Sequence, residues 1–435
     1  METTARNATS AGARFLQIAF LVSSHGVRFG VHSLYLLTRR RRNQINELFG
    51  VSLARLFEAL GPAFVKAGQI LSARPDLLPD GVGLPLRRLQ DQTKPVDGAL
   101  IPKIIEEAFG RAIPELFDSF DFTPIGSASI AQVHRARLRD GREVAIKIRR
   151  PGIVRIVDND LLLLTFIART LSSLPGMSAV PLPELVDHIR TPIHQQLDFH
   201  LEAANNRRFR RAFAFVEHIK FPELVEELCT ENVLTMEYVD CLQRIDSTAL
   251  GATDRKTAAL AGLHTLYKMI FVDGFIHADM HPGNVFVRHW GEFVILDFGL
   301  VAKLDDNDQL DFVDFFFGLV NNDGRECARI ILSTAAFRPP DCDLEAFELA
   351  MVQLIANHSA LKSHEFEVAH FVYELIQTQR RFKIRGSTNF MMTILSMVVF
   401  DGICKQLYPQ CDFQKEARAP LITGRYRRKS LRLSA

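Results

Sequence analysis

The stretch His277-Ala278-Asp279-Met280-His281-Pro282-Gly283-Asn284, followed by Asp297-Phe298-Gly299, concentrates side chains suited to phosphoryl transfer. That chemistry needs a metal to neutralise charge between adjacent phosphates and an acidic group to orient the nucleophile. An Asp and an Asn five residues apart on a short loop divide the work: Asp279 toward the acceptor, Asn284 on the metal. Asp297 follows an apolar run thirteen residues beyond Asn284 and supplies a second ligand for Mg2+, with Gly299 permitting a sharp turn behind it. An isolated Asp-Phe-Gly is common by chance. The spaced set H-x-D-x-x-x-x-N with a downstream Asp-Phe-Gly is specific.

Upstream, Val144-Ala145-Ile146-Lys147 places a lysine on a strand, where its ammonium can grip the α- and β-phosphates of ATP. Standing alone, the same tetrapeptide would read as a surface lysine on an edge strand. Such a lysine also needs a helical carboxylate, and Glu202, 55 residues on, is the candidate. Met236-Glu237-Tyr238-Val239 reads as a hinge whose backbone, at Glu237 and Val239, would bond adenine. The nucleotide-covering loop is Ile125, Gly126, Ser127, Ala128, Ser129, Ile130, Ala131, Gln132, Val133. Gly126 stands alone there among residues whose Cβ atoms restrict positive φ, so the loop covers phosphate differently from a glycine-rich one.

These residues need a frame. Apolar spacing predicts helices through 51–117, then a change of period at 118–150, where Asp140-Gly141 between two alternating runs marks a hairpin. Helical pattern returns over 158–216 with a Pro-rich break at 175–183; residues 233–240 form a buried strand, and an apolar helix ends at Gly274. Two short strands, in 275–287 and 292–300, flank a polar loop, and from 307 onward the pattern is helical. The expectation is an α+β, two-lobed, protein-kinase-like fold behind a helical extension. Its expected segments are a basic amphipathic stretch (1–48), a helical extension (49–117), an N-lobe with inserted helices (118–240), a helical C-lobe (241–416) and a basic tail (417–435).

Composition narrows the class. The 435 residues are 47% hydrophobic and 23% charged, with 33 Phe, which excludes a disordered, collagen-like or coiled-coil chain. Net charge is +2, so a generally basic nucleic-acid binder is excluded. The charge is segregated: residues 1–50 carry +5 and residues 417–435 carry +6, which leaves −9 for the middle. Six scattered cysteines, with no CxxC pair, read as structural thiols of a reducing compartment. Residues 15–27 are too short an apolar run to span a bilayer, which needs about 20 residues. On a helix, Arg14, His25, Arg28, His32 and Arg39 share one face, and Leu16, Phe20, Val27, Val31 and Leu34 the opposite one. With Arg40 to Arg42 following, this suits a helix lying on an anionic membrane surface. The plainer reading is a helix packed on its own domain with a solvated charged face.

Taken in order, KAGQ (Lys66 to Gln69), ARPDLLP, SASIAQVH, VAIK, RRPGI, LDFHLEAANN, HADMHPGN and LDFG resemble the UbiB-type atypical kinases over roughly residues 50–310. The resemblance implies a kinase-like fold with an N-terminal helical extension over the active site, which blocks docking of protein substrates. It further implies ATP binding with ATPase activity, membrane association and support of ubiquinone (coenzyme Q) synthesis. By the same resemblance, the invariant lysine is Lys147, the helix glutamate Glu202, the catalytic-loop acid Asp279, and the metal ligands Asn284 and Asp297. Lys66 and Gln69 become regulatory residues of the extension, with Lys66 turned inward; read alone, Lys66 is a solvated helix lysine. The chain departs from the family pattern at Gly126 and Ser127, at Ala131, and at Gln196-Leu197-Asp198, where the family has E-x-D and a carboxylate partner for Lys66. Some members end in transmembrane helices. Here the apolar run 390–400 is expected to pack in the C-lobe, and the terminal basic run to be a solvated tail or a second membrane contact.

Three functions follow: a peripheral membrane ATPase or kinase acting with quinone-pathway lipids or enzymes, a small-molecule phosphotransferase, or a non-catalytic nucleotide- and lipid-binding scaffold. The KAGQ block argues against the second. The membrane would be the cytoplasmic face in a bacterium or the mitochondrial inner membrane in a eukaryote.

Overall fold

The structure is a computed structural model that describes residues 11–39, 44–72, 78, 81–89, 95–172, 182–359 and 366–433. Arg40 to Arg42, residues 73–77 of the ARPDLLP stretch and residues 175–181 of the Pro-rich break lie outside the described residues. Helices α1 (Ala11–Thr38), α2 (Ile45–Leu60), α3 (Pro62–Ser72), α4 (Gly83–Arg87), α5 (Ile101–Phe109) and α6 (Ile113–Leu116) come first. Strands β1 (Phe117–Phe120), β2 (Gly126–Ser127), β3 (Ala131–Leu138) and β4 (Glu143–Arg149) follow, then α7 (Ile153–Ser172), α8 (Leu182–Leu197) and α9 (Phe199–Ala212). Next come β5 (Ile219–Lys220), β6 (Val233–Glu237), β7 (Gln243–Arg244) and α10 (Ala252–Tyr267). Strands β8 (Phe275–His277), β9 (Val285–Val287), β10 (Phe293–Ile295) and β11 (Val301–Lys303) carry the motif loops. The remainder is helical: α11 (Asp306–Val320), α12 (Gly324–Ser333), α13 (Leu344–Ser359), α14 (Val368–Arg381), α15 (Thr388–Leu407) and α16 (Phe413–Leu433), with a small β-pair at 335–337 and 385–386.

Contacts divide the chain into two units, Met1–His200 with Leu224–Tyr238, and Leu201–Glu223 with Val239–Ala435. The amphipathic stretch and the helical extension thus share one unit with the lysine sheet, while residues 201–223 join the other.

In the first unit, β1, β3, β4 and β6 form an antiparallel sheet in that order, with β2 pairing β3. Its hairpin turns at Asp140-Gly141 as the sequence predicts. Gly141 adopts φ +90°, and the Asp140 carboxylate accepts the Arg142 N–H at 3.0 Å. One face of the sheet is covered by α5, where Ile101 and Ile105 are fully buried against Val144 and Ile146. In the extension, Gly68 permits a close approach: a Cβ there would lie 2.4 Å from Leu89 Cδ1 and 2.7 Å from Phe57 Cδ2.

Helix α1 meets α2 through an edge-to-face pair, Phe29 on Phe49, with centroids 5.5 Å apart. Its charged face is not simply solvated. Arg14 turns inward to Asp160 on α7 at 2.9 Å and donates to the Leu60 carbonyl at 2.7 Å. The apolar face also lies in solvent: Leu16, Phe20, Val27, Val31 and Leu34 are all 63–72% exposed. Arg28, His32 and Arg39 are exposed as well, so the helix is tied to its unit at Arg14 and presents both its hydrocarbon stripe and most of its basic face.

The second unit holds a phenylalanine-rich core that includes Phe298, Phe312, Phe315, Phe347, Phe371 and Phe390, all fully buried. Strands β5, β10, β9 and β7 form one sheet, and β8 pairs with β11 to carry the motif loops. A π-helical turn, Lys268–Asp273, joins α10 to β8 and ends at Gly274 with φ +59°. Residues 389–407 of α15 are long and apolar enough to cross a membrane, yet 67% of that window is buried in the unit's own core, as expected for a packed helix. Helix α16 starts packed on the unit's core. Along α16, Ala417 and Leu421 are buried, and the Arg425 guanidinium lies 3.8 Å from the Phe317 ring and 3.4 Å from Asp314. Burial pushes the Cys327 thiol up to about 12 and the Cys411 thiol up to about 11, which fits structural thiols.

Candidate active site

Lys147 sits in the middle of β4, between Val133 of β3 and Leu234 of β6. It is 9% exposed, with its ammonium 5.3 Å from the Phe199 ring centroid at the start of α9. A lysine so placed is not the edge-strand surface residue that the tetrapeptide alone would allow. Glu202, in the first turn of α9, is fully buried. The hinge residue Glu237 pairs with Val144, and Tyr238 donates its N–H to the Glu143 carbonyl at 3.0 Å. Val239 is buried, and the division between the two units falls between Tyr238 and Val239.

The covering loop is a tight hairpin. Gly126 pairs with Val133 and Ser127 with Gln132, and Ala128 donates to the Ala131 carbonyl at 2.8 Å. Ile125 and Gly126 are exposed, whereas Ser129, Ile130 and Ala131 are buried. A residue outside the sequence-based set holds this loop. Arg150 donates from Nε to the Ala128 carbonyl at 2.8 Å and from a terminal nitrogen to Ser127 Oγ at 2.9 Å. Its signal was the arginine pair directly after the lysine strand.

The Gln132 side chain is bonded within its own unit. Its amide oxygen accepts the Val96 N–H at 2.7 Å, and its nitrogen donates to His134 Nε2 at 2.7 Å. The other His134 nitrogen faces the Asp121 carbonyl at 2.8 Å, so Nδ1 carries the hydrogen and Nε2 accepts. Burial lowers the pKa of His134 in keeping with this neutral tautomer. In the extension, Lys66 is buried rather than solvated, which removes the plain reading of that residue. Gln69 donates to the Leu89 carbonyl at 3.2 Å. Gln196 is buried on α8, and Asp198 is exposed, accepting the His200 N–H at 3.0 Å at the start of α9.

In the second unit, the motif loops are tied together by His277. The ring is fully buried, and its Nε2 donates to the backbone carbonyl of Asp297. A carbonyl only accepts, so Nε2 bears the hydrogen and Nδ1 is left to accept the Asp279 N–H at 3.2 Å. Burial lowers the His277 pKa, which keeps the imidazole neutral, as both bonds require. Asp279 itself is half-buried, and its carbonyl accepts from the His281 N–H and from Asn284 Nδ2, each at 3.0 Å. With Nδ2 committed as donor, the amide oxygen is the Asn284 side-chain atom that could meet a cation. The Asn284 backbone is fixed at both ends, through the His281 carbonyl at 2.9 Å and the Leu296 N–H at 3.0 Å. Asp297 is half-buried, and one of its carboxylate oxygens accepts the Gly299 N–H at 3.0 Å, the bond that shapes the turn.

An oriented amide oxygen and a carboxylate on neighbouring loops are hard oxygen donors of the kind Mg2+ takes, so the residues fit a nucleotide-bound magnesium. Asn205 of α9, also outside the sequence-based set, donates from Nδ2 to the Phe298 carbonyl at 2.9 Å. The Phe298 ring packs 5.8 Å from Phe209 and 6.0 Å from His277. The readable sign was Asn205-Asn206 inside a helix, where asparagine is unfavourable unless its side chain is bonded.

A strand lysine, a buried helical glutamate and these two motif loops on an α+β frame define a kinase-like protein. Residues 88–331 match the ABC1 atypical kinase-like domain and residues 352–412 the UbiB helical domain. The chain is 35% identical over 407 residues to a "Probable protein kinase UbiB" of Aeromonas hydrophila, covering 92% of this chain and 74% of that one. It is 35% identical over 393 residues to the protein of that name from Cellvibrio japonicus, covering 88% and 71% respectively. A solved structure of Mycobacterium tuberculosis Rv3197 in complex with erythromycin shares the fold, with TM-score 0.58, 22% identity, and coverage of 91% of this chain and 99% of that one. The chain belongs to the UbiB family of ABC1 atypical kinase-like proteins.

Proposed function

We propose that this protein is a membrane-associated, kinase-like ATPase that supports ubiquinone synthesis. The carrying observation is the loop fixed by His277, which orients the Asn284 amide oxygen and fixes the backbone of Asp279 while holding the turn at Asp297. Lys147 grips the α- and β-phosphates, with Glu202 as its carboxylate partner. The 125–133 hairpin covers phosphate with its backbone, and the hinge at Glu237 and Val239 receives adenine. Asn284 and Asp297 hold magnesium, which neutralises charge between the phosphates. Asp279 orients the acceptor, water or a quinone-pathway intermediate. Lys66, Gln69, Gln196 and Asp198 belong to the regulatory extension.

The membrane part of the reading rests on α1. Its exposed stripe of Leu16, Phe20, Val27, Val31 and Leu34 is hydrocarbon in solvent, flanked by exposed Arg28 and Arg39. Large apolar stripes of this kind mark interaction surfaces, and basic flanks favour an anionic lipid face. In a bacterium, as for the relatives named above, the surface is the cytoplasmic face of the membrane. The test is phosphate release from Mg-ATP with and without anionic vesicles. Vesicle-stimulated release supports the proposal. Absence of turnover under both conditions leaves the scaffold reading in its place.

A further inference from the structure

Helices α13 and α14 bring two imidazoles onto one carboxylate, away from every residue assigned above. His358 Nε2 lies 2.8 Å from one oxygen of Glu374, and His370 Nε2 lies 3.5 Å from the other. One ligand atom from each of the three residues lies within 4.8 Å of those from the other two. His370 and Glu374 are four residues apart on α14 and therefore share a face. His358 comes from the last turn of α13. We propose that His358, His370 and Glu374 form a binding site for a zinc-type divalent cation that clamps α13 to α14.

Three observations carry the assignment. A hydrogen-bonded His–Glu pair needs one imidazole, and here a second points at the same carboxylate. Tetrahedral zinc with bonds of about 2.0–2.1 Å sets its ligand atoms about 3.3 Å apart, and the three ligand atoms here, all within 4.8 Å of one another, need only small side-chain shifts to reach that spacing. Burial is graded across the site. His358 is 3% exposed and walled by Phe366 and Phe371, whereas Glu374 and His370 are 38% and 58% exposed. A cation can thus enter from the His370 side and keep a water as its fourth ligand. Two histidines and a glutamate favour zinc over magnesium, which takes oxygen ligands, so the site differs in kind from Asn284 and Asp297. His358 Nδ1 is also buried without a partner among the described residues. The polar ring in this apolar wall is therefore held from its Nε2 side.

The test uses the full chain stripped with a chelator and titrated with Zn2+ against a chromophoric indicator, then with Co2+ for its visible spectrum. Expected is one high-affinity cation per chain, with intense tetrahedral Co2+ bands lacking the near-ultraviolet thiolate transition that cysteine ligands would give. Affinity should fall at least ~10-fold in His370→Ala and in Glu374→Gln, and stay unchanged in Asp297→Asn. His370 is largely exposed, so its replacement leaves the fold intact, which the unfolding midpoint of the metal-free variant checks. A wild-type chain that takes up no stoichiometric zinc, or a His370→Ala chain that binds it as tightly, would overturn the proposal.

Discussion

His277 joins Asp279 to Asp297 through one neutral imidazole: Nε2 donates to the Asp297 carbonyl, and Nδ1 accepts the Asp279 N–H at 3.2 Å. The backbones of the two aspartates are therefore positioned by a single buried ring, and the ring makes both bonds only unprotonated.

That requirement gives a pH signature. The folded-state pKa of His277 is lowered below its ordinary 6.5 by burial, so the unfolded chain takes up the proton first as pH falls. Its contribution to stability is complete above about pH 6.5 and declines below it, by at most ~1.4 kcal/mol per pH unit. His134 in the first unit shifts in the same direction, also through burial. Urea midpoints measured between pH 7.5 and 5 should fall with acid, and His277→Gln should flatten part of that fall.

Arg150 secures the covering hairpin through Ser127 and Ala128. Removing two hydrogen bonds from a charged donor costs a few kcal/mol locally. Arg150→Ala should weaken ATP binding about tenfold, the equivalent of ~1.4 kcal/mol. An unchanged dissociation constant in a nucleotide titration would show that the hairpin is ordered without this arginine.

Gly68 is constrained from two sides. Gly68→Ala places a methyl within 2.4 Å of Leu89 Cδ1 and 2.7 Å of Phe57 Cδ2, both movable side-chain atoms. The expected loss is about 1–3 kcal/mol, with Gly68→Val worse. Denaturant midpoints of the two variants check the order.

For α1, Phe20→Glu combined with Val27→Glu alters side chains that are 72% and 67% exposed. The unfolding midpoint should hold. Vesicle co-sedimentation should drop at least ~100-fold, because each large apolar side chain contributes ~1.5–3 kcal/mol when moved out of water.

Much of this site was legible because its parts are local. The Asp140-Gly141 hairpin, the Lys147 strand and the spacing from Asp279 to Asn284 each lie within a few residues, where period and turn chemistry decide. Arg150 and Asn205 were not legible as site residues because their roles depend on partners 22 and 93 positions away in sequence. The anchoring of α1 was hidden for a related reason. Its two faces were visible, but the inward turn of Arg14 depends on Asp160, 146 residues distant. Ala417, Leu421 and the Arg425–Phe317 stack fasten the first turns of α16 to the second unit, contacts that its charge-dominated composition did not show.

The most direct measurement is Mg-ATP turnover by Asp297→Asn beside the wild-type chain, with unfolding midpoints recorded for both. With Asp297 as the proposed magnesium ligand, losing its carboxylate should lower turnover at least ~100-fold, about 2.7 kcal/mol of barrier, while the midpoint stays close to wild type. Turnover that persists at the wild-type rate in a folded Asp297→Asn chain would contradict the account.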